Sequence, residues 1–386
     1  MPLGSIIQRR RVVVCVGSGG VGKTTVAASI AVQAASEGGK VLVCTIDPAR
    51  RLANSLGLTE LGNVETRVTP DRMQAAGIPG EGELYAMMLD LKRTWDDLVV
   101  RHVSNPERRE AILRNRFYVQ LSTSLVGSQE YMAMEKLYEL REARDYDLVV
   151  LDTPPTVHAL DFLEAPNRVL DVLGNDAGRL LLAPALKAGT AGLKLMNLGG
   201  GYIARTISRL IGAETLQAVA ELFLAFSVMY DGFKERAERV KSLLASDETA
   251  FVLVTSPNPL AIDEAIHFHS LLTRNQMRVA AAIANRVNAD VASPGQFPDL
   301  SRVDAFASSV KADPGPFAAT PLAQRLRSTL SEAHALAEAD RAEIARLAGA
   351  CGSTPVFAVP RFDSDVYDLP GLWHFAKTLN AANSSE

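Results

Sequence analysis

The stretch Gly17-Ser18-Gly19-Gly20-Val21-Gly22-Lys23-Thr24-Thr25 satisfies the phosphate-loop pattern G-x-x-x-x-G-K-[ST]. It falls between the apolar run Val12–Val16, which reads as a strand, and Thr24–Ser36, which reads as a helix. The glycines allow backbone N–H groups to turn inward around phosphate oxygens. The following helix adds its positive N-terminal end. On this reading Gly19, Gly20, Val21, Gly22, Lys23, Thr24 and Thr25 cradle the phosphates of a nucleotide. Lys23 brings an ammonium to the β- and γ-phosphates, and Thr24 offers its hydroxyl to Mg2+.

Working outward, short apolar runs alternate with helical patterns, the rhythm of a mostly parallel, doubly wound α/β sheet. The expected strands are Val12–Val16, Lys40–Ile46, Leu84–Leu89, Leu148–Asp152, Phe251–Thr255, Val279–Ala284 and Val356–Val359. Helices are expected over Thr24–Ser36, Lys92–His102, Gln129–Arg144, Ile262–Thr273 and Pro321–Leu347. Gly77–Gly82 and Asp290–Leu300 read as surface connections. Residues 166–244 contain no convincing strand and are rich in Leu, Ala, Met and Gly. They read as a helical subdomain inserted into a P-loop ATPase core formed by 8–165 and 245–386. Only one Gly-Lys-Thr triplet occurs, so a single nucleotide site is expected.

Two acids end expected strands. Asp47 stands in Thr45-Ile46-Asp47-Pro48-Ala49-Arg50, and Asp152 closes Leu148-Val149-Val150-Leu151-Asp152. Ligands bind at the carboxyl edge of such a sheet, so both carboxylates are candidates for Mg-ATP chemistry. With Lys23 they form the expected catalytic set, and Thr24 and Asp152 the expected metal ligands.

Composition excludes several classes. A formal net charge of −4 over 386 residues argues against nucleic acid as a partner. No long uncharged apolar window is present, so no membrane span is expected, and a cytoplasmic location is. Three cysteines, Cys15, Cys44 and Cys351, form neither a disulfide framework nor a metal knuckle. No zinc is expected. Cys15 and Cys44 read as small core residues, and Cys351 as a loop residue before the last strand. His267 and His269 read as surface residues.

The motifs together resemble those of the ArsA-like and guided-entry ATPases, a branch of the SIMIBI P-loop class related to MinD, ParA and nitrogenase iron protein. The resemblance rests on the phosphate loop, Ile46-Asp47-Pro48-Ala49, Asp152-Thr153-Pro154-Pro155-Thr156-Val157-His158, Ala284-Asn285-Arg286-Val287 and Val359-Pro360-Arg361-Phe362-Asp363-Ser364-Asp365-Val366. It implies ATP and Mg2+ as cofactors. It also implies that Asp47 positions the attacking water, that Asp152 couples the metal to a switch containing Thr156 and His158, and that Asn285 and Pro360 contact adenine. The segment Gly127–Glu135 occupies the place of a motif near the family's dimer interface.

At Ser18 the family usually carries a lysine that crosses to a partner's phosphates. A neutral serine cannot do so. A homodimer, a heterodimer with a lysine-bearing paralogue, or another cation such as a nearby arginine all remain open. Arsenite pumping is disfavoured, because As(III) wants clustered thiolates. In targeting members a Met- and Leu-rich subdomain receives the apolar helix of a client membrane protein and works with a membrane receptor. Leu193, Leu195, Met196, Leu222, Phe226 and Met229 offer similar material. The expected function is an ATPase whose hydrolysis switches that subdomain. The alternatives are a MinD- or ParA-like spatial regulator and an ATPase subunit energising a membrane anion transporter.

Overall fold

A computed structural model describes residues 3–8, 10–46, 51–124, 128–143, 145–154, 234–290 and 322–382. Eight strands form one sheet: β1 (Val12–Val16), β2 (Lys40–Thr45), β3 (Thr66–Val68), β4 (Glu83–Met88), β5 (Leu148–Asp152), β6 (Thr249–Thr255), β7 (Val279–Val287) and β8 (Val356–Pro360). Their spatial order is β3-β4-β2-β5-β1-β6-β7-β8. All neighbours run parallel except β3, a short antiparallel edge strand against β4. The doubly wound sheet expected from the sequence is present. β3 was not anticipated, because three residues carry no readable alternation.

β1 sits at the centre, and all five of its residues are buried. Its side chains divide between two cores, as the two-residue period of a strand requires. Val12, Val14 and Val16 pack with Trp95, Met132, Val240, Phe268 and Leu347 on one face. Those partners come from the helices Leu91–His102, Ser128–Ala143, Pro259–Arg274 and Leu322–Cys351 and from helical residues 234–245. Val13 and Cys15 pack on the other face with Val26, Ile30, Leu372 and Phe375. That layer holds the helix Lys23–Ser36, the C-terminal helix Leu369–Ala381 and the short helix Leu3–Ile7.

Helix starts lie close to those read from the sequence, and the caps explain the differences. The helix expected at Ile262 begins at Pro259, where the Asn258 side chain accepts from Leu260 N at 3.0 Å. Asparagine before proline is a strong start signal. The Gly77–Gly82 stretch is largely exposed, but it buries Ile78 and is also a packing element. A β-carbon on Gly80 or Gly82 would lie 2.1 Å from the carbonyl oxygen of Ser36 or Ala35. The loop seats directly on the end of the helix that follows the phosphate loop. Cys351 is a correction: it ends the long helix and is buried, rather than lying in a loop. His267 is exposed as expected, whereas His269 is partly buried, with Nε2 3.0 Å from Thr354 Oγ1. No helix among the described residues is long and apolar enough to cross a membrane.

Candidate nucleotide site

The loop after β1 is shaped by close approach. Gly17 has φ 149°, and a β-carbon there would lie 1.9 Å from the Val254 carbonyl oxygen of β6. Gly20 and Gly22 also have positive φ, 76° and 100°. The turn returns the chain so that Lys23, 7% exposed, donates from Nζ to the carbonyls of Gly17 at 2.9 Å and Ser18 at 2.7 Å. The ammonium is thereby held inside the ring of the loop.

Three strand ends converge beside it. Thr24 Oγ1, at the start of the helix, donates to Asp152 Oδ2 at 2.7 Å. Thr45 Oγ1, at the end of β2, donates to the same oxygen at 2.9 Å. Thr153 Oγ1 donates to the Cys15 carbonyl at 2.8 Å, tying the end of β5 to β1. Asp152 is only 1% exposed. A buried carboxylate beside a hydroxyl is a hard oxygen donor pair of the kind Mg2+ prefers. Sequence reasoning missed Thr45; the available signal was a hydroxyl ending a strand two residues before Asp47. Asp47, Thr156 and His158 lie outside the described residues, as do most of residues 166–244.

The second cluster lies across the sheet at β7 and β8. Asn285 is buried, and its Nδ2 donates to the Val21 carbonyl at 2.8 Å. A β-carbon on Gly22 would meet that nitrogen at 2.3 Å, so glycine is required there. Arg286 follows, with φ 63°, and its Nη1 donates to the Gly20 carbonyl at 3.3 Å. A cavity of about 1280 Å³ runs from Lys23 and Thr24 past Asn285 and Arg286 to Pro360, Phe362 and Tyr367. Phe362 stacks on the C-terminal helix, 5.8 Å from Phe375 in an edge-on arrangement. Lys23, Thr24, Thr25, Asn285 and Pro360 therefore line one space, with Gly20 and Gly22, whereas Asp152 lies beneath it. Neither Gly19 nor Val21 is among its lining residues: Gly19 is exposed and Val21 is buried under the turn.

Ser18 Oγ donates to Glu264 Oε2, so a carboxylate stands at the lip of the loop. The thiols are unlike a soft-metal site. Cys15 and Cys44 belong to cores on opposite faces of the sheet. Burial pushes the Cys15 thiol well up, with the charge of Asp152 adding to it, pushes Cys44 up to about 12, and pushes Cys351 up to about 11. All three stay protonated at neutral pH. Away from the cavity, Asp290, His334 and Glu338 bring ligand-type atoms within 4.8 Å. Arg341 already pairs with both carboxylates.

A loop of this shape on the central strand of a parallel sheet, backed by a buried strand-end aspartate, defines a P-loop ATPase. The chain belongs to the anion-transporting ATPase family, whose model matches residues 10–298. It is similar to ATPase GET3C of Arabidopsis thaliana, with 27% identity over 309 residues, 77% of this chain and 72% of that protein. It is also similar to an ATPase ASNA1 homolog of Babesia bovis, with 27% identity over 274 residues, 70% of this chain and 64% of that protein. A shorter match reaches 31% identity over 153 residues of ATPase GET3 from Malassezia globosa, 40% of this chain and 41% of that one. ATP hydrolysis is the activity of this chain. Pro360 and β8 lie beyond the stretch that the family model matches.

Proposed function

We propose that the chain hydrolyses Mg-ATP with the phosphates on Gly19–Thr25 and adenine between Asn285 and Pro360. The observation that carries this is the shared hydrogen bonding of Thr24 and Thr45 to one oxygen of buried Asp152, directly beside Lys23. Lys23 neutralises charge on the β- and γ-phosphates, and the glycine turn aims backbone N–H groups at their oxygens. Thr24 and Asp152 hold the metal, which when bound supplies charge stabilisation for phosphoryl transfer. Asp47 orients the attacking water. Asn285 supplies a hydrogen-bonding amide for the base, and Pro360 and Phe362 a flat apolar wall.

The chain works as a dimer, and residues 166–244 form a helical subdomain that receives the apolar helix of a membrane protein. Binding and hydrolysis of ATP switch that subdomain, with release of the client to a membrane receptor. The likeness to the GET3 and ASNA1 ATPases supports this over transport of a soft anion, and so do the buried, separated cysteines. The test is capture with Asp47→Asn from cytosol and membranes in Mg-ATP, read by mass spectrometry, with Lys23→Ala as the nucleotide-free control. Enrichment of proteins with a single C-terminal apolar helix on Asp47→Asn alone is expected. Recovery of a polytopic transporter instead would move the assignment to anion transport.

A further inference from the structure

Arg286 is a residue of the cavity to which no motif assigned a role. It is an arginine in the left-handed region, φ 63°, at the point where the pairing of β7 with β8 slips between Ala284 and Val287. Such a conformation persists in a non-glycine residue only when its surroundings hold it. Here the Asn285 Oδ1 accepts from the Arg286 N–H at 2.9 Å, while the other end of that amide holds the Val21 carbonyl. The turn swings the guanidinium over the outer side of the phosphate loop, where Nη1 meets the Gly20 carbonyl. The side chain is exposed to the cavity and has no carboxylate partner among the described residues.

Its strand stands apart from those that carry Lys23 and Asp152, although its guanidinium reaches Gly20 of the phosphate loop. Lys23 is held at Gly17 and Ser18, and Asp152 ends β5, on one side of β1. Arg286 comes from β7, two strands away on the other side, beside the β8 end at Pro360, and it lines the same cavity as Phe362. A guanidinium is planar, stacks on aromatic faces and offers several donors in one plane.

We propose that Arg286 binds the nucleoside half of the nucleotide, its plane lying along the base and its free donors serving the ribose oxygens, rather than neutralising phosphate. The proposal rests on the reading of this cavity as the ATP site. The test compares ADP with pyrophosphate, each with Mg2+, by titration calorimetry on the full chain, its Arg286→Ala variant and its Arg286→Lys variant. Arg286→Ala is expected to weaken ADP by about tenfold while pyrophosphate stays within about twofold of the parent. Arg286→Lys keeps a cation near Gly20 but loses the plane, and is expected to stay closer to alanine than to the parent. Unchanged ADP affinity would overturn the proposal. Equal weakening of both ligands would also overturn it, leaving Arg286 as a brace of the phosphate loop. Full restoration by lysine would assign the effect to charge alone and reject the stacked plane. If the parent protein bound neither ligand, the ATP-site reading itself would fail, a result distinct from all of these.

Discussion

At Gly17 the β-carbon of any other residue would lie 1.9 Å from a backbone oxygen of the neighbouring strand, in a backbone region that only glycine occupies freely. The obstructing atoms are all backbone of Val254, not a movable side chain. Gly17→Ala is therefore expected to cost about 3 kcal/mol of stability, read as a lower urea midpoint at unchanged slope. A midpoint equal to that of the parent would mean that the loop relaxes at no cost. The cysteines give a second residue-scale expectation. With every thiol buried and protonated, native protein should react with a thiol reagent no faster than it opens, and all three should react at once in denaturant. Rapid native labelling of Cys351, the least deeply raised, would contradict this assignment. The phosphate-loop residues were legible in the sequence because each glycine answers to a local demand. Thr45 and the Ser18–Glu264 contact were not, because both depend on a partner more than 100 residues distant.

Among elements, the helix Ser128–Ala143 is tied to residues 234–245 by a buried ion pair. Arg236 Nε lies 2.8 Å from Glu135 Oε1, with side-chain exposures of 16% and 6%. Removing one partner leaves the other charge without compensation in a poorly hydrated place. Glu135→Ala is expected to destabilise by about 3–5 kcal/mol, whereas Arg239→Ala, at an exposed pair on the helix of Arg236, should change stability far less. Equal, small losses in thermal unfolding would show that the Glu135 pair is as hydrated as the surface one. On the far side, Asp340 of the long helix accepts from both Asn288 N and Asn288 Nδ2, at 2.7 and 3.0 Å. That contact anchors the chain just beyond Asn285 and Arg286, and Asp340→Ala should raise hydrogen exchange there. The long strands and helices were readable at this scale, because apolar runs and periodicity are local properties, whereas β3 and the helices Pro106–Arg114 and Arg116–Ser124 were not. The pairing of Glu135 with Arg236 was not, because charged side chains in a helical pattern read as a solvated face.

For the whole molecule, two partly buried histidines set an acid limit. His102 is held below its ordinary value by burial, then by the charges of Arg236 and Arg101, and His269 by burial. The folded state thus keeps both neutral while the unfolded chain takes up protons near 6.5. Their stabilisation is complete above that pH and declines as pH falls through it. Urea midpoints should fall between about pH 7.5 and pH 5.5, and the double variant His102→Gln, His269→Gln should flatten that slope. An unchanged slope would place the acid sensitivity in other groups. A last consequence follows from the division of β1 between two cores. Val13 and Val14 share a peptide bond and a chemistry, yet Val13 touches the layer that carries the phosphate-loop helix. Val14 touches the layer that holds the helices Leu91–His102, Ser128–Ala143 and Pro259–Arg274. Shortening Val13 to alanine should loosen the layer of the phosphate-loop helix, and shortening Val14 the opposite layer, each read by hydrogen exchange. One strand thus acts as a party wall between two packed layers, and adjacent lesions in it should loosen opposite sides of the molecule.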